Sequence, residues 1–355
     1  MTSEEKVEGP IFQSSLRAAF GRVPLWLLTT LGVMALALPV GMLTHSTFAG
    51  AIGSSYEPGS LIQSLDTNFV IDSAGKRGEL KSSVAIISAG SALLAVLMGI
   101  FTAGGWLQVF FQRTAGHSVR RFFHGGVRHF WRFTRVFLLV MLCAAVIQRV
   151  VYYEPWHNLV ETSYLQLPEV EAQGASVGPK YSAERMEELP DELTARQVVW
   201  VQDALHAILM ALLLTWAVFT RTRLAMHDAS SSVWAGLCTL FTMLRHPIKT
   251  LRPMILLLLI EAFIVFIASF VHAWMEDGLG ADSEMKSVAM IFALSSVVLM
   301  LSEIIHAARY QAAISVSHLV IGPISRPDPW KHSVGAPGGP QYPIIEGSDE
   351  YGVAL

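Results

Sequence analysis

Two acidic residues in long apolar stretches are each followed three positions later by a histidine: Asp203 by His206, and Glu303 by His306. On a helix this spacing places both side chains on one face, as in the di-metal carboxylate sites of helical bundles. Both helices are predicted to cross in the same direction, with the two pairs about 16 Å apart along the axis. One metal ion cannot use both pairs, so a metal hypothesis is confined to Glu303 and His306.

A third acid, Glu261, lies in a run of leucines, isoleucines and phenylalanines. It is the deepest ionisable group, about 12 Å into its predicted span. Such a group costs roughly 2.5–3.5 kcal/mol at the centre of a membrane helix, which makes it a functional candidate. A structural role predicts a partner on a neighbouring helix, with His306 and Arg309 the candidates by depth. A coupling role predicts that Glu261 borders a water-filled cavity.

Six stretches are long and apolar enough to carry these residues across a bilayer. Hydrophobic residues make up 52% of the 355 residues and charged residues 15%, against about a quarter charged in soluble domains. Spanning a hydrocarbon core takes about 20 apolar residues. The stretches are 24–44, 84–111, 133–153, 198–219, 253–274 and 287–308. The sequence predicts an all-α polytopic bundle of six transmembrane helices over residues 1–321, followed by a Pro- and Gly-rich tail over 322–355.

The distribution of lysine and arginine predicts the orientation of this bundle. With the N-terminus inside, 17 of the 25 cationic residues fall on inner segments and eight on outer segments. Cytoplasmic loops carry the excess of lysine and arginine in membrane proteins. We therefore expect both termini on the cytoplasmic side.

The two inner connectors are predicted to form amphipathic helices. Aromatic and aliphatic residues recur in them at helical spacing, with cations between these residues in the first connector and after them in the second. The cations are Arg120, Arg121, Arg128 and Arg132 in the first connector, and Arg245 and Lys249 in the second. Basic amphipathic helices of this kind lie at the membrane interface and contact phosphate headgroups. The connectors predict a surface for lipid or a protein partner, or else a structural layer under the bundle. Their likeness also predicts a parallel internal repeat that relates helices 2–3 to helices 4–5.

Small residues cluster along the second span and its connector, as two glycine pairs and one ridge. Glycine pairs at 104–105 and 125–126 are expected to relieve packing or to break a helix. Ser91, Ala95, Gly99 and Ala103 form a ridge at i, i+4 spacing. Such ridges permit close helix contact, and we expect this ridge to pack inside the bundle.

The run from Phe101 to Phe137, FTAGGWLQVFFQRTAGHSVRRFFHGGVRHFWRFTRVF, resembles a stretch of uncharacterised bacterial six-helix membrane proteins. There, a small-residue turn in a span precedes a connector rich in Phe and Arg. Residues Arg221–Leu256 are similar to the second connector of those proteins, and Tyr310–Gln311 to their closing helix. The resemblance implies a bacterial inner-membrane protein and carries no known activity.

Motifs for nucleotide binding, zinc hydrolysis and serine hydrolysis are absent from the sequence. The leading hypothesis is a non-enzymatic membrane scaffold, accessory subunit or membrane-organising protein, without a cofactor or nucleic acid. Its expected partners are membrane lipids and a protein partner in a membrane complex. One alternative is a small transporter with Glu261 as the coupling residue. A second alternative is a membrane metalloenzyme at Glu303 and His306.

Overall fold

The computed structural model describes residues 10–52, 67–111, 118–152, 192–227, 231–277 and 284–322. Every regular element in these ranges is a helix, which confirms the predicted all-α class. The helices are α1 (Ile11–Phe20), α2 (Val23–Ile52), α3 (Thr67–Phe111), α4 (Ser118–Tyr152), α5 (Glu192–His227), α6 (Ser232–Arg245), α7 (Pro247–Asp277) and α8 (Glu284–Ile321). The predicted tail, beyond its first residue, lies outside the described ranges.

Six of the eight helices are long and apolar enough to cross a bilayer, and each overlaps one predicted span. The apolar segments are Val23–Leu43, Ala85–Phe111, Ser118–Tyr152, Val199–His227, Pro247–Met275 and Ala289–Ile321. Several of them run past the predicted boundary at the arginine-rich end, where α4 begins and α5 and α8 finish. We call this end of the bundle, which includes α6, the basic end. The other end, where α4 finishes and α5 begins, is the opposite end.

The best-buried core lies toward the basic end and is organised around α8. This helix contacts α1, α2, α3, α5 and α7. Alanines at positions 307, 308, 312 and 313 of α8 are fully buried, and such small side chains let neighbouring backbones approach closely. Large side chains fill the remaining space, among them Trp106, Phe122, Leu224, Met254 and Tyr310, each at most 2% exposed.

Glycines set the close crossing of α3 and α4. A Cβ atom added to Gly104 would lie 2.6 Å from the carbonyl oxygen of Gly125, and one added to Gly126 would lie 2.6 Å from the ring of Phe101. The glycine pairs therefore relieve packing, and α4 continues unbroken through them from Ser118 to Tyr152. The first connector thus runs directly into its span, without a break at the glycines.

The second connector is a separate helix, α6. The Ser231 side chain caps its start by accepting a hydrogen bond from the backbone N–H of Trp234 at 3.3 Å, which satisfies a donor that the helix cannot. The helix ends at His246 because the following Pro247 disfavours helical geometry in the residue before it. Pro247 then starts α7, where a missing N–H costs nothing. The first connector lacks such a proline, which explains why it forms one continuous helix with its span whereas the second connector does not.

The short helix α1 precedes the first span and was not predicted from the sequence. It packs against α7 and α8, with Ser15 and Ala19 buried. The helix ends at Gly21, whose backbone N–H donates to the carbonyl oxygen of Arg17. Its ten residues supply too few turns for apolar periodicity to stand out.

Candidate functional site

The deepest predicted acid, Glu261 on α7, forms an ion pair with Arg309 on α8. The two side chains are 25% and 14% exposed, respectively. The structure therefore supplies the neighbouring-helix partner that the sequence predicted, and of the two candidates it is Arg309. An ion pair shields both charges in a segment where an isolated charge is costly.

This pairing also changes the depth assigned to Arg309 on α8. The sequence placed Arg309 just past the inner end of the sixth span, whereas the structure brings it to the level of Glu261. The helix continues for 12 residues beyond Arg309, to Ile321, and most of these residues are buried. Apolar residues continue past the arginine, so its position does not mark the end of the span.

Glu303 and His306 lie on α8 at the predicted i, i+3 spacing. One carboxyl oxygen of Glu303, Oε2, is buried and has no hydrogen-bond partner among the described residues. The His306 ring contacts the Tyr310 ring edge-on, with centroids 5.2 Å apart. Glu303 is thus an acid without a cationic partner in the described part of the chain.

Arg221 on α5 joins this group through Tyr310. Its Nη1 donates a hydrogen bond to the Tyr310 hydroxyl at 3.0 Å, and its buried Nε has no partner within the described ranges. The predicted fourth span ends at residue 219, which leaves Arg221 in the inner connector. The helix in fact continues to His227, which places the guanidinium inside the bundle.

A first cavity, of about 560 Å³, lies between α2, α3, α7 and α8. Glu261, Glu303 and His306 border it, together with Ser302 and Thr102. Most of its remaining wall is aliphatic or small, and it includes three members of the predicted ridge, Ser91, Ala95 and Gly99. These ridge residues therefore line open space, and only Ala103 is in the core. We call this space cavity 1.

A second cavity, of about 370 Å³, lies between α3, α4, α5, α7 and α8. Its polar lining consists of Arg221, Arg309, Tyr310, His306 and Thr215, and the rest is mainly aliphatic and aromatic. We call this space cavity 2. His306 and Gly99 border both cavities. The polar residues thus divide into an acidic set beside cavity 1 and a cationic set beside cavity 2, with His306 between them.

The metal hypothesis lacks a complete ligand set in the part of the chain that the structure describes. No group of three or more His, Cys, Asp or Glu side chains there is arranged to hold a metal ion. Glu261 borders the same cavity as Glu303 and His306, but its carboxyl group is engaged by Arg309. A stable zinc site takes at least three protein ligands.

The other predicted pair, Asp203 and His206, lies at the opposite end and joins α4 to α5. The Tyr152 hydroxyl donates to Asp203 Oδ1 at 2.9 Å, and its ring lies 5.1 Å from that of His206. The neighbouring Gln202 Nε2 donates to the carbonyl oxygen of Val151 at 2.7 Å. These contacts form a polar clamp between two helices, separate from the cluster around His306.

The connector cations take different positions. Arg120, Arg245 and Lys249 are exposed, and Arg128 and Arg132 are half-buried. Arg121 is only 4% exposed, so it is not available to a lipid headgroup. Arg121 is buried because it lies on the same side of α4 as Gly125 and His129, which are also buried. The sequence pattern grouped it with the other connector arginines and did not predict this difference.

Helix α6 turns its small residues inward and its large apolar residues outward. Ala235, Gly236 and Thr239 are buried, whereas Trp234, Leu237, Leu240, Phe241 and Leu244 are between 46% and 72% exposed. Two side chains of α5 hold the inner face: Trp216 Nε1 donates to the carbonyl oxygen of Gly236 at 2.9 Å, and Arg223 Nη1 to Thr242 Oγ1 at 3.1 Å.

Comparisons of this chain with protein-family models, curated proteins and solved structures find no match.

Proposed function

We propose that this protein is a small proton-coupled membrane transporter that binds its substrate between the helices of the bundle. The observation that carries this proposal is cavity 1, which brings Glu261, Glu303 and His306 to one space inside the membrane-spanning segments. Acidic and histidine side chains at such depth mark proton and substrate pathways in transporters. A scaffold has no need of a cavity that reaches its deepest acids.

The coupling residue in this proposal is Glu303, with His306 as its neighbour. The sequence favoured Glu261 for this role, but Glu261 is held in an ion pair and cannot exchange a proton without first losing Arg309. Glu303 has no cationic partner among the described residues. It can therefore take up and release a proton without breaking an ion pair. His306, one turn away, borders both cavities and is placed to pass that proton between them.

Cysteine accessibility tests whether water reaches cavity 1. In a background with Cys143 and Cys238 replaced by serine, Ser302→Cys is expected to react with a membrane-impermeant methanethiosulfonate reagent. The matched control is Phe263→Cys on the outward-facing surface of α7, where the native side chain is 63% exposed and lines neither cavity 1 nor cavity 2. That thiol is expected to face hydrocarbon and to stay unreacted. Equal protection of both thiols would contradict a water-filled path to the acids and would favour a scaffold.

A second candidate function is the scaffold or membrane-organising role, with lipid or a protein partner bound at the basic end. The observation in its favour is α6, whose outward apolar face lies beside the exposed Arg245 and Lys249. An apolar face with flanking cations suits insertion among acyl chains and anionic headgroups. The two roles are compatible, since an interfacial helix can anchor a transporter.

The cellular setting of this proposal is a bacterial inner membrane with both termini cytoplasmic. The support is the excess of lysine and arginine at the basic end. We also propose that helices α3–α4 and α5–α7 descend from a duplicated unit. Supporting it, both connectors carry an apolar stripe with cations, which fall within the stripe in the first connector and after it in the second. A proline separates only the second connector from its span.

A further inference from the structure

Arg221 is a permanently charged group inside the bundle that lacks an acidic partner in the described ranges. Its Nη1 donates a hydrogen bond to the neutral hydroxyl of Tyr310, and its buried Nε has no hydrogen-bond partner among the described residues. A guanidinium group does not lose its proton in proteins. Leaving such a charge uncompensated in an apolar environment is costly. An anion beside Arg221 would remove that cost.

Cavity 2 has the charge and the lining to hold that anion. Arg309 also borders the cavity, but Glu261 neutralises it. Of the two arginines that line the cavity, Arg221 is the one whose positive charge has no acidic partner among the described residues. The rest of the wall is largely apolar, formed by side chains such as Phe137, Val140, Met141, Met210, Leu214 and Met254. A volume of about 370 Å³ falls in the range of small-molecule sites.

We propose that cavity 2 binds an organic monoanion with an apolar body, its anionic group at Arg221 and Tyr310. The apolar body would lie against α4 and α5. This inference rests on the proposed transport function and deepens it by naming the class of substrate. An arginine with a neighbouring hydroxyl suits a carboxylate, sulfonate or phosphate oxygen, because charged N–H donors make strong hydrogen bonds to anionic oxygen.

Octanesulfonate is the probe for this site because it combines a permanent single negative charge with an apolar chain. Its affinity is measured by calorimetry on the full chain, purified in an uncharged maltoside detergent. We expect saturable binding at one site per protein, and no displacement by octylammonium of the same chain length. Arg221→Gln is expected to weaken binding by at least about tenfold, the loss of a charged hydrogen bond.

Arg223→Gln is the matched control, two residues along the same helix. Arg223 contacts α6 through Thr242 and does not border cavity 2. Its replacement should leave octanesulfonate affinity within about twofold of the wild type. Thermal unfolding checks that each variant folds. Octanesulfonate should raise the unfolding temperature of the wild type and of Arg223→Gln, but not that of Arg221→Gln, since a ligand stabilises only a protein that binds it.

Three outcomes would overturn the inference: equal affinity in Arg221→Gln and wild type, equal binding of octylammonium, or no binding of octanesulfonate. Competition by phosphatidylglycerol that fully blocks octanesulfonate would assign the site to a lipid headgroup in place of a free anion. The Ser302→Cys labelling is independent of this assay. Labelling without octanesulfonate binding would leave transport standing and refute the substrate class, whereas binding without labelling would refute transport and keep the anion site.

Discussion

Breaking the ion pair between Glu261 and Arg309 should destabilise the protein unequally, depending on which partner is removed. Glu261→Leu leaves a guanidinium that cannot give up its proton. Breaking a buried ion pair costs about 3–5 kcal/mol, and we expect about 3 kcal/mol because the side chains are partly exposed, at 25% and 14%. Arg309→Leu leaves a carboxyl group that can take up a proton. Glutamate has a reference pKa of about 4.3, so protonating this carboxyl group at pH 5 costs about 1 kcal/mol.

The double variant Glu261→Leu/Arg309→Leu removes both charges and should cost at most about 1 kcal/mol, because apolar replacements of an ion pair are often neutral. The two single effects are therefore strongly non-additive, with a coupling energy of about 3 kcal/mol. Free energies of unfolding are measured by SDS titration in mixed micelles at pH 5. Leu259→Ala, an outward-facing position on the same helix with 59% exposure, controls for general effects on α7.

Additive effects of the two single substitutions would show that the side chains do not interact, and the reasoning about the cluster would fail. A larger loss for Arg309→Leu than for Glu261→Leu would equally contradict the argument from protonation. We also expect Glu261→Gln to destabilise the protein, since an amide keeps a hydrogen bond to Arg309 but does not neutralise its charge.

Two further predictions concern helix packing. Gly104→Ala should destabilise the protein by about 1–3 kcal/mol, because the new methyl group meets backbone atoms of Gly125; Gly99→Ala, where a Cβ meets nothing within 4 Å, should be neutral or stabilising by up to about 1 kcal/mol. Equal effects in thermal unfolding would refute the close crossing of α3 and α4. Tyr152→Phe removes the hydrogen bond to Asp203 and should cost about 1 kcal/mol in the same measurement, whereas an unchanged unfolding temperature would argue against the clamp.

The features that the sequence predicted follow from local constraints. A long apolar run can satisfy its backbone hydrogen bonds in a membrane as a helix. The number and order of the six spans could therefore be predicted, although several of their ends could not. An isolated carboxylate is costly at the depth of Glu261, so the sequence predicted a partner that could neutralise it. Near that depth, the sixth span offered two candidates, His306 and Arg309.

The cavities and the position of Arg221 inside the bundle could not be predicted from the sequence, because they depend on how the helices are arranged. Gly99 and Ala95 carry the pattern of a packed ridge, and only the arrangement of α2, α3, α7 and α8 turns them toward open space. Arg221 lies two residues beyond the predicted end of its span, and such boundaries are uncertain by about two to four residues. A shift of that size decides whether an arginine counts as a connector cation or as part of an internal site.

Proton uptake driven by an anion gradient tests the proposed transport function most directly. The full chain is reconstituted into liposomes that contain a pH-sensitive dye, and octanesulfonate is added outside. We expect inward movement of octanesulfonate to acidify the lumen, and empty liposomes to show no change. Glu303→Gln should abolish the acidification while octanesulfonate still binds. Acidification that is unchanged in Glu303→Gln, or its absence in wild-type protein that binds octanesulfonate, would contradict a proton-coupled transporter.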